Sequence, residues 1–343
     1  MKIHSKDTLH IKDTRNPLRR TLLLIGILIL FGLLSLLIGR YPQAGFTRIS
    51  TILNDALART IILQLRLPRI LTAIIAGAIL GASGFVFQML FSNPLVEPGF
   101  LGVSQGAAFG AALCILFIGY HPYLIQIISA VFAIMGLLLS FLLAKRFQYG
   151  GWILRLVLSG IAVSALFSSG LGFLKYTADP MSELQEITFW LLGGLWNITW
   201  VQVLSILPVT ISTLFVLFLF RWRINILSLE DRTAHTLGIA PIQEKRLMLL
   251  LATIGTASVI SVSGLVGWIG LIVPHLSRRI FGSNASTALP GSMLIGAVYL
   301  LICDTIGRSM FTGEMPLGIV TSITGTILFV LLLSSSRGLG ESI

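Results

Sequence analysis

Apolar stretches of about 20 residues recur along this chain, at 21–39, 70–91, 100–119, 122–144, 152–174, 198–220, 289–307 and 316–334. Helices of that length span the roughly 30 Å hydrocarbon layer of a bilayer. In that layer no water satisfies exposed backbone groups, so only helices or closed barrels cross it. Barrel strands alternate apolar and polar residues, and these runs do not. The chain therefore reads as all-α, a polytopic membrane protein. Its residues are 55% hydrophobic and 11% charged, with a mean hydropathy of +0.93, whereas soluble domains carry about a quarter charged residues. The first run follows a basic tail, 1–20, but is too long for a signal-peptide core and lacks a small-residue cleavage site before Arg40. It is expected to be a retained anchor.

Lysine and arginine collect on the cytoplasmic side of membrane proteins. With the N-terminus inside and the spans alternating, the inner set is Lys2, Lys6, Lys12, Arg15, Arg19, Arg20, Lys145, Arg146, Arg155, Arg221, Arg223, Arg232, Lys245, Arg246, Arg278, Arg279 and Arg337, 17 of 24. Arg40, Arg48, Arg59, Arg66, Arg69, Lys175 and Arg308 remain outside. Segment 247–281 is long for one crossing, yet the basic pairs at both its ends belong inside, so two short spans meeting near Ser261–Gly264 are expected. Ten spans follow, with both termini cytoplasmic. The net charge of +11 is then membrane-edge charge, and no aromatic-interleaved basic patch marks a nucleic-acid surface.

Shifted by 180 residues against itself, the sequence pairs Arg66 with Arg246, Leu67 with Leu247, Leu71 with Leu251 and Ile74 with Ile254. The same shift pairs Ser83 with Ser263, Gly84 with Gly264, Val86 with Val266, Pro94 with Pro274 and Gly102 with Gly282. Five spans separate equivalent points, so the halves run oppositely, an arrangement typical of transporters. The expected organisation is a cytoplasmic tail, 1–20, and two inverted five-helix repeats, 21–180 and 181–343, the second carrying a cytoplasmic segment, 221–246. Gly77 with Gly81, Gly81 with Gly84 and Gly102 with Gly106 are spaced for close helix contact.

Between spans 2 and 3, "SNPLVEPGFLGVSQG" (92–106) holds two prolines that cannot continue a helix, so a tight cytoplasmic turn is expected. Glu97 within it is either a loop residue or a functional acid. The segment "NILSLEDRTAHTLGIAP" (225–241) reads as a short surface helix. Ser228 and Asp231 form a capping box, Gly238 suits the position after its end and Pro241 blocks continuation. Leu229, Thr233 and Leu237 lie on one stripe of a helix too short to stand alone. Asp304 sits four residues before Arg308, at the spacing of a helical ion pair. Cys114 and Cys303 lie inside spans, and isolated histidines such as His275 supply no metal-ligand spacing. No Gly-Lys pair exists, so no Walker loop can hold ATP, and any energy source lies in another chain. An ion-coupled secondary transporter is the alternative class, needing titratable groups near midplane, which only Asp304 approaches. No His/Asp/Glu cluster supports a membrane enzyme.

The stretches "RLPRILTAIIAGAILGASGFVFQMLFSNPLVEPGFLGVSQGAA", "LSLEDRTAHTLGI", "GLVGWIGLIVPHLSRRIFG" and "DTIGRSMFTGEMPLGIVTSITGTILFVLLL" resemble the permease subunits of binding-protein-dependent ABC importers for iron–siderophore complexes, haem and cobalamin. The likeness runs from about residue 60 to 335. It implies a homodimer in a bacterial or archaeal cytoplasmic membrane, two separate ATPase chains that bind ATP and Mg, and a soluble or lipid-anchored substrate-binding protein docking outside. It implies no cofactor on this chain and no catalytic residue. By the same resemblance, Arg66, Arg69 and Arg308 dock the binding protein, and Ser228, Leu229, Glu230, Asp231, Ala234, Leu237 and Gly238 couple to the ATPase. Without it, these arginines read first as interface residues snorkelling to headgroups.

The resemblance also puts the path along spans 5 and 10, where Ser164, Ser168, Ser169, Thr321, Ser322 and Thr324 offer a polar lining, unless their hydroxyls bond their own helices. Gln148, Tyr149, Gly150 and Gly151, in the turn before span 5, are either a cytoplasmic gate or a plain turn. The cargo, whether siderophore, haem, cobalamin or oxyanion, is not legible.

Overall fold

The computed structural model describes residues 16–41, 45–310 and 313–334. The tail to residue 15 and Arg337 lie outside the described residues. Helix α1 (Pro17–Leu37) leads into a hairpin of β1 (Ile38–Gly39) antiparallel to β2 (Gly45–Phe46), then into α2 (Ile49–Asn54) and α3 (Ala56–Ile61). A wide π-turn, Ile62–Arg66, precedes α4 (Leu67–Phe91). After a short 3-10 turn, Pro98–Leu101, come α5 (Val103–Ile118), α6 (Pro122–Arg146), α7 (Trp152–Thr177), α8 (Glu183–Leu192) and α9 (Trp200–Leu219). The chain continues through α10 (Arg221–Leu227), α11 (Asp231–Thr236), α12 (Pro241–Ser263), α13 (Ile269–Phe281), α14 (Ala285–Ser309) and α15 (Leu317–Ser334).

Ten of these are the expected spans: α1, α4, α5, α6, α7, α9, α12, α13, α14 and α15. Their lengths carry the repeat, because the second members, α4 and α12, have 25 and 23 residues, and the third, α5 and α13, only 16 and 13. Segment 247–281 departs from expectation. α12 starts at Pro241 and is a full span, and only α13 is short. The 180-residue shift carries Phe91, the end of α4, onto Leu271, whereas α12 stops at Ser263. The repeat thus preserves helix order and length but not helix ends.

Helix α4 occupies the centre, with 89% of its apolar window buried, against α9, α12, α13 and α14. Helix α1 is peripheral, with 6% of its window buried and Leu22, Leu23, Ile29 and Leu33 turned outward, as befits a lipid-facing anchor. Lipid supplies no hydrophobic drive between helices, so close packing has to hold them. A Cβ on Gly77 would collide with the backbone carbonyl of Gly296 in α14, and one on Gly84 with that of Gly270 in α13.

Polar groups inside the bundle are matched to freed backbone groups. Pro274 in α13 has no N–H, which leaves the carbonyl of Gly270 without its helical donor. Gln88 Nε2 donates to that oxygen at 3.2 Å and to Leu271 O at 3.1 Å. The Arg278 guanidinium in turn donates to Gln88 Oε1. Ser83 Oγ donates to Ala252 O at 3.0 Å, tying α4 to α12.

The expected turn is present over 92–95, which are exposed, but the rest of the segment folds back into the bundle. Val96, Pro98 and Leu101 are buried, and the 3-10 turn packs its backbone on Gly160 of α7. Helix α8, which no sequence signal announced, ends where α12 breaks. Gly194 N donates to Ser263 O at 2.8 Å, and Leu317 N, the first of α15, donates to Gly193 O at 2.8 Å. One junction therefore joins α8, α12 and α15.

Replacing Gly77 with alanine should lower thermal stability in detergent by about 1–3 kcal/mol, since two helices must separate. Gly26→Ala on α1, with nothing within 4 Å, should be neutral or slightly stabilising. Equal melting temperatures for Gly77→Ala and wild type would show that the α4–α14 contact does not limit stability.

Candidate functional site

At the end of the bundle where α4 begins and α14 ends, Arg69 and Arg308 meet Asp304, Arg69 also reaches Glu314, and Arg66 stands beside them. Arg69 Nε lies 2.8 Å from Asp304 Oδ1, and its Nη1 lies 2.7 Å from Glu314 Oε2. Arg308 Nε stands 3.7 Å from Asp304 Oδ2, the expected i, i+4 pair, yet the nearer cation to Asp304 is Arg69 from another helix. Arg308 also donates to Ile38 O at 3.0 Å, to Ser35 Oγ at 2.8 Å and to the Ser35 carbonyl. Arg66 Nη1 donates to Leu36 O at 2.8 Å and to Thr47 Oγ1 at 3.2 Å.

These guanidiniums are turned inward. Arg66 and Arg308 are each 7% exposed, so neither presents a free fork to a carboxylate from outside. Glu314, with 39% of its side chain exposed, is the accessible member of the cluster. A cavity of about 230 Å³ opens beside the cluster, lined by Arg40, Arg66, Arg69, Arg308, Glu314 and Trp196 among others.

Local chemistry explains the geometry. Asp55 caps α3 by accepting from Leu57 N at 2.9 Å, and Tyr41 donates its hydroxyl to the other carboxylate oxygen at 2.8 Å. That hydroxyl holds the Asp55 carboxyl below the usual carboxylate range. The contact ties the stretch after β1 to α3, and Gly39 leaves room for the Arg66 guanidinium beneath. Asp304 is wholly buried between two cations, which is a structural ion-pair arrangement and not the free titratable acid an ion-coupled carrier needs.

The opposite end carries the segment expected to couple. Ser228 is not an N-cap: it closes α10, and its Oγ donates to Asn225 O at 2.7 Å. Glu230 precedes α11, and Asp231 accepts at 2.7 Å from Lys245, a lysine only 3% exposed, instead of completing a capping box. A buried ammonium demands a carboxylate more strongly than an exposed helix end does. Gly238 does follow the helix in a left-handed conformation, φ +79°, and Pro241 starts α12. Ala234 packs inward, while Leu229 and Leu237 are 45% and 57% exposed beside Arg232 and Glu230. An apolar pair on a charged surface is left without an internal partner.

Along the proposed path, Ser168 and Ser169 of α7 are exposed and Ser164 is half-buried. On α15 the reading divides. Thr321 is fully buried and donates to Gly318 O at 3.2 Å, and Thr324 meets the Tyr299 hydroxyl at 2.7 Å, so both face α14. Ser322 is half-buried. Gln148, Tyr149, Gly150 and Gly151 form an exposed turn between α6 and α7, with Gly150 at φ +81° and the Phe147 carbonyl held by Arg155. Among the described residues, no three His, Cys, Asp or Glu gather as a metal site.

Sequence reasoning missed Glu314 and the Tyr41–Asp55 contact. Glu314 lies two residues before the predicted span 316–334 and six after Arg308, and that proximity was a usable signal. Tyr41 and Asp55 lie 14 residues apart in an outer loop with no periodicity to connect them.

Comparison with known proteins accords with this geometry. The FecCD transport family matches residues 27–335. The molybdate import permease of Haemophilus influenzae is 37% identical over 320 residues, 91% of this chain and 94% of that one. The hemin transport permease of Yersinia pestis is 36% identical over 318 residues, 92% and 95% of the two chains. A solved metal-chelate type ABC transporter in an inward-facing conformation aligns with a TM-score of 0.86 at 36% identity, covering 92% of this chain and 99% of its own. With most of its length inside the matched model and relatives this similar across nearly their full extent, the chain belongs to the FecCD transport family.

Proposed function

We propose that this chain is the membrane-spanning subunit of a binding-protein-dependent ABC importer that moves a metal chelate, of the siderophore, haem or cobalamin class, into the cell. The likeness to the inward-facing metal-chelate transporter over nearly the whole chain carries the reading. Two copies form the conduit, and their exposed α7 and α15 faces meet across the path. Both termini lie in the cytoplasm, so the arginine end faces outward. ATP is hydrolysed by two partner ATPases beneath the dimer, and this chain contributes no catalytic group. Proteoliposomes holding the permease with its ATPase and binding protein should accumulate chelate only with ATP, whereas accumulation by the permease alone would overturn the proposal.

The exposed Leu229 and Leu237, on a surface anchored by Asp231–Lys245 and by Arg223–Glu244 at 2.9 Å, support contact with the ATPase. Burying an exposed leucine contributes about 2 kcal/mol, and a patch of two on a rigid base offers a partner an anchor. Leu229→Asp with Leu237→Asp should release the ATPase from the purified dimer without lowering permease yield. Co-purification at the wild-type ratio would refute the assignment.

At the outer end, three guanidiniums against two carboxylates leave excess positive charge under a thin cover. Their inward orientation favours attraction through field, with Glu314 and the exposed Arg48 and Arg59 at the surface. Reversing Arg69 would set a second acid against Asp304 and confuse docking with unfolding. Removing both partners avoids this. Arg69→Gln alone should cost about 3–5 kcal/mol, because Asp304 keeps only its distant contact, and Arg69→Gln with Asp304→Asn should recover most of that stability. If the double variant binds the substrate-binding protein as tightly as wild type, at low and high salt alike, these residues serve structure only. Docking predicts roughly tenfold weaker binding and a shallower salt dependence.

A further inference from the structure

A second cavity, of about 260 Å³, lies at the arginine end among the starts of α6 and α9, the end of α12 and the length of α8. Trp196 is the wall it shares with the cavity of the arginines, but its chemistry is opposite. No lysine, arginine or histidine lines it, and its one charged group is Glu186. No hydrogen bond or ion pair engages that carboxylate among the described residues.

An acid in the first turn of a helix has an ordinary explanation, since carboxylates stabilise helix N-termini. In α8 that role is already filled. Glu183 sits one turn earlier and accepts from Asp179 N at 3.0 Å, while Asp179 accepts from Ser182 Oγ at 2.7 Å and from Met181 N at 3.2 Å. Glu186 is left facing the cavity, together with the rings of Tyr120, Phe189, Trp190 and Trp196. Aromatic faces carry partial negative charge and attract cations, most strongly when water is excluded. The remaining amides are partly spent, with Gln126 donating to Ser205 Oγ at 2.8 Å and Gln202 Oε1 accepting from Thr199.

The walls are set by backbone. A side chain at Gly194 would strike the six-membered ring of Trp196, so the indole closes directly on the chain there. Gly194 N donates to Ser263 O at 2.8 Å, which fixes that wall to the end of α12. The volume is below the usual 300–1,000 Å³ of drug-sized pockets, which limits the occupant to a small molecule.

We infer that this cavity binds a small organic cation, an ammonium or guanidinium group, through the Glu186 carboxylate and the faces of Trp190, Trp196 and Tyr120. The site shares only Trp196 with the arginine cavity, and it stands whether or not the chain is an importer subunit. It braces α8 against the break between α12 and α13.

The probe is choline, titrated against the tryptophan fluorescence of the full-length permease in nanodiscs of phosphatidylglycerol at constant ionic strength. A saturable change is expected, with affinity about tenfold lower or less for the neutral isostere 3,3-dimethyl-1-butanol. Glu186→Gln should weaken choline to a similar degree and leave the neutral isostere unaffected, Glu186→Asp should retain most of the affinity, and Gly194→Ala should weaken both ligands by displacing Trp196. Size-exclusion profile and melting temperature report whether each variant is folded. In phosphatidylcholine nanodiscs, loss of the response to free choline would identify lipid headgroups as the natural source, and a retained response would identify soluble cations. Equal affinity for choline and its isostere, or a Glu186→Gln protein that binds choline like wild type, would reduce the site to an apolar cavity and overturn the inference. So would the absence of any saturable signal in both wild type and Glu186→Asp.

Discussion

Helices α9, α12, α13 and α14 are placed by one constraint: α4 has almost no face left for lipid. A helix enclosed by others in a bilayer gains nothing from leaving water, because lipid is as apolar as its neighbours. What holds it is approach close enough for backbones to touch, which is why Gly77 and Gly84 sit where α14 and α13 cross. The polar side chains of α4 then find partners within reach, Ser83 on α12 and Gln88 on the carbonyl freed by Pro274. Glycine placement and polar satisfaction are therefore one device, since neither bond forms unless the helices come close.

The same economy governs the arginines. In a membrane-edge bundle an unpaired guanidinium near the hydrocarbon is costly, and the three at this end are each engaged by carbonyls, hydroxyls or carboxylates of their own chain. Arg69 is the keystone, because it alone joins α4, α14 and the segment before α15 through two carboxylates. The positive charge at this end comes from groups turned inward, each spent on its own chain.

Much of this was legible in the sequence, for reasons that are physical. Runs of apolar residues long enough to cross lipid have few other uses, and basic residues at their ends fix how many crossings an interval contains, which is how 247–281 was divided in two. The illegible parts are those where a distant partner overrides a local rule. Ser228 and Asp231 have the spacing of a capping box, but Lys245, buried 14 residues away, claims Asp231. Thr321 and Thr324 look like a polar lining until Tyr299 draws Thr324 toward α14. Helix α8 carries no long apolar run, and its position is set by Gly193 and Gly264, whose left-handed conformations (φ +68° and +66°) admit the crossing chains.

That junction also constrains how the protein can move. Helix α15 begins with a hydrogen bond to Gly193, α8 ends at the same residue, and α12 terminates against both, so none of the three shifts at this level without disturbing the others. The opposite end of α12 starts at Pro241, shortly after the exposed Leu237, and its buried Lys245 is fastened to Asp231 there. A 23-residue helix is thus clamped at one end to α11 and at the other to α8 and α15. With α4 immobilised beside it by backbone contact and the Ser83–Ala252 bond, α12 tilts as a rod more readily than it bends. The two clamps stand roughly 35 Å apart, the length that 1.5 Å per residue gives.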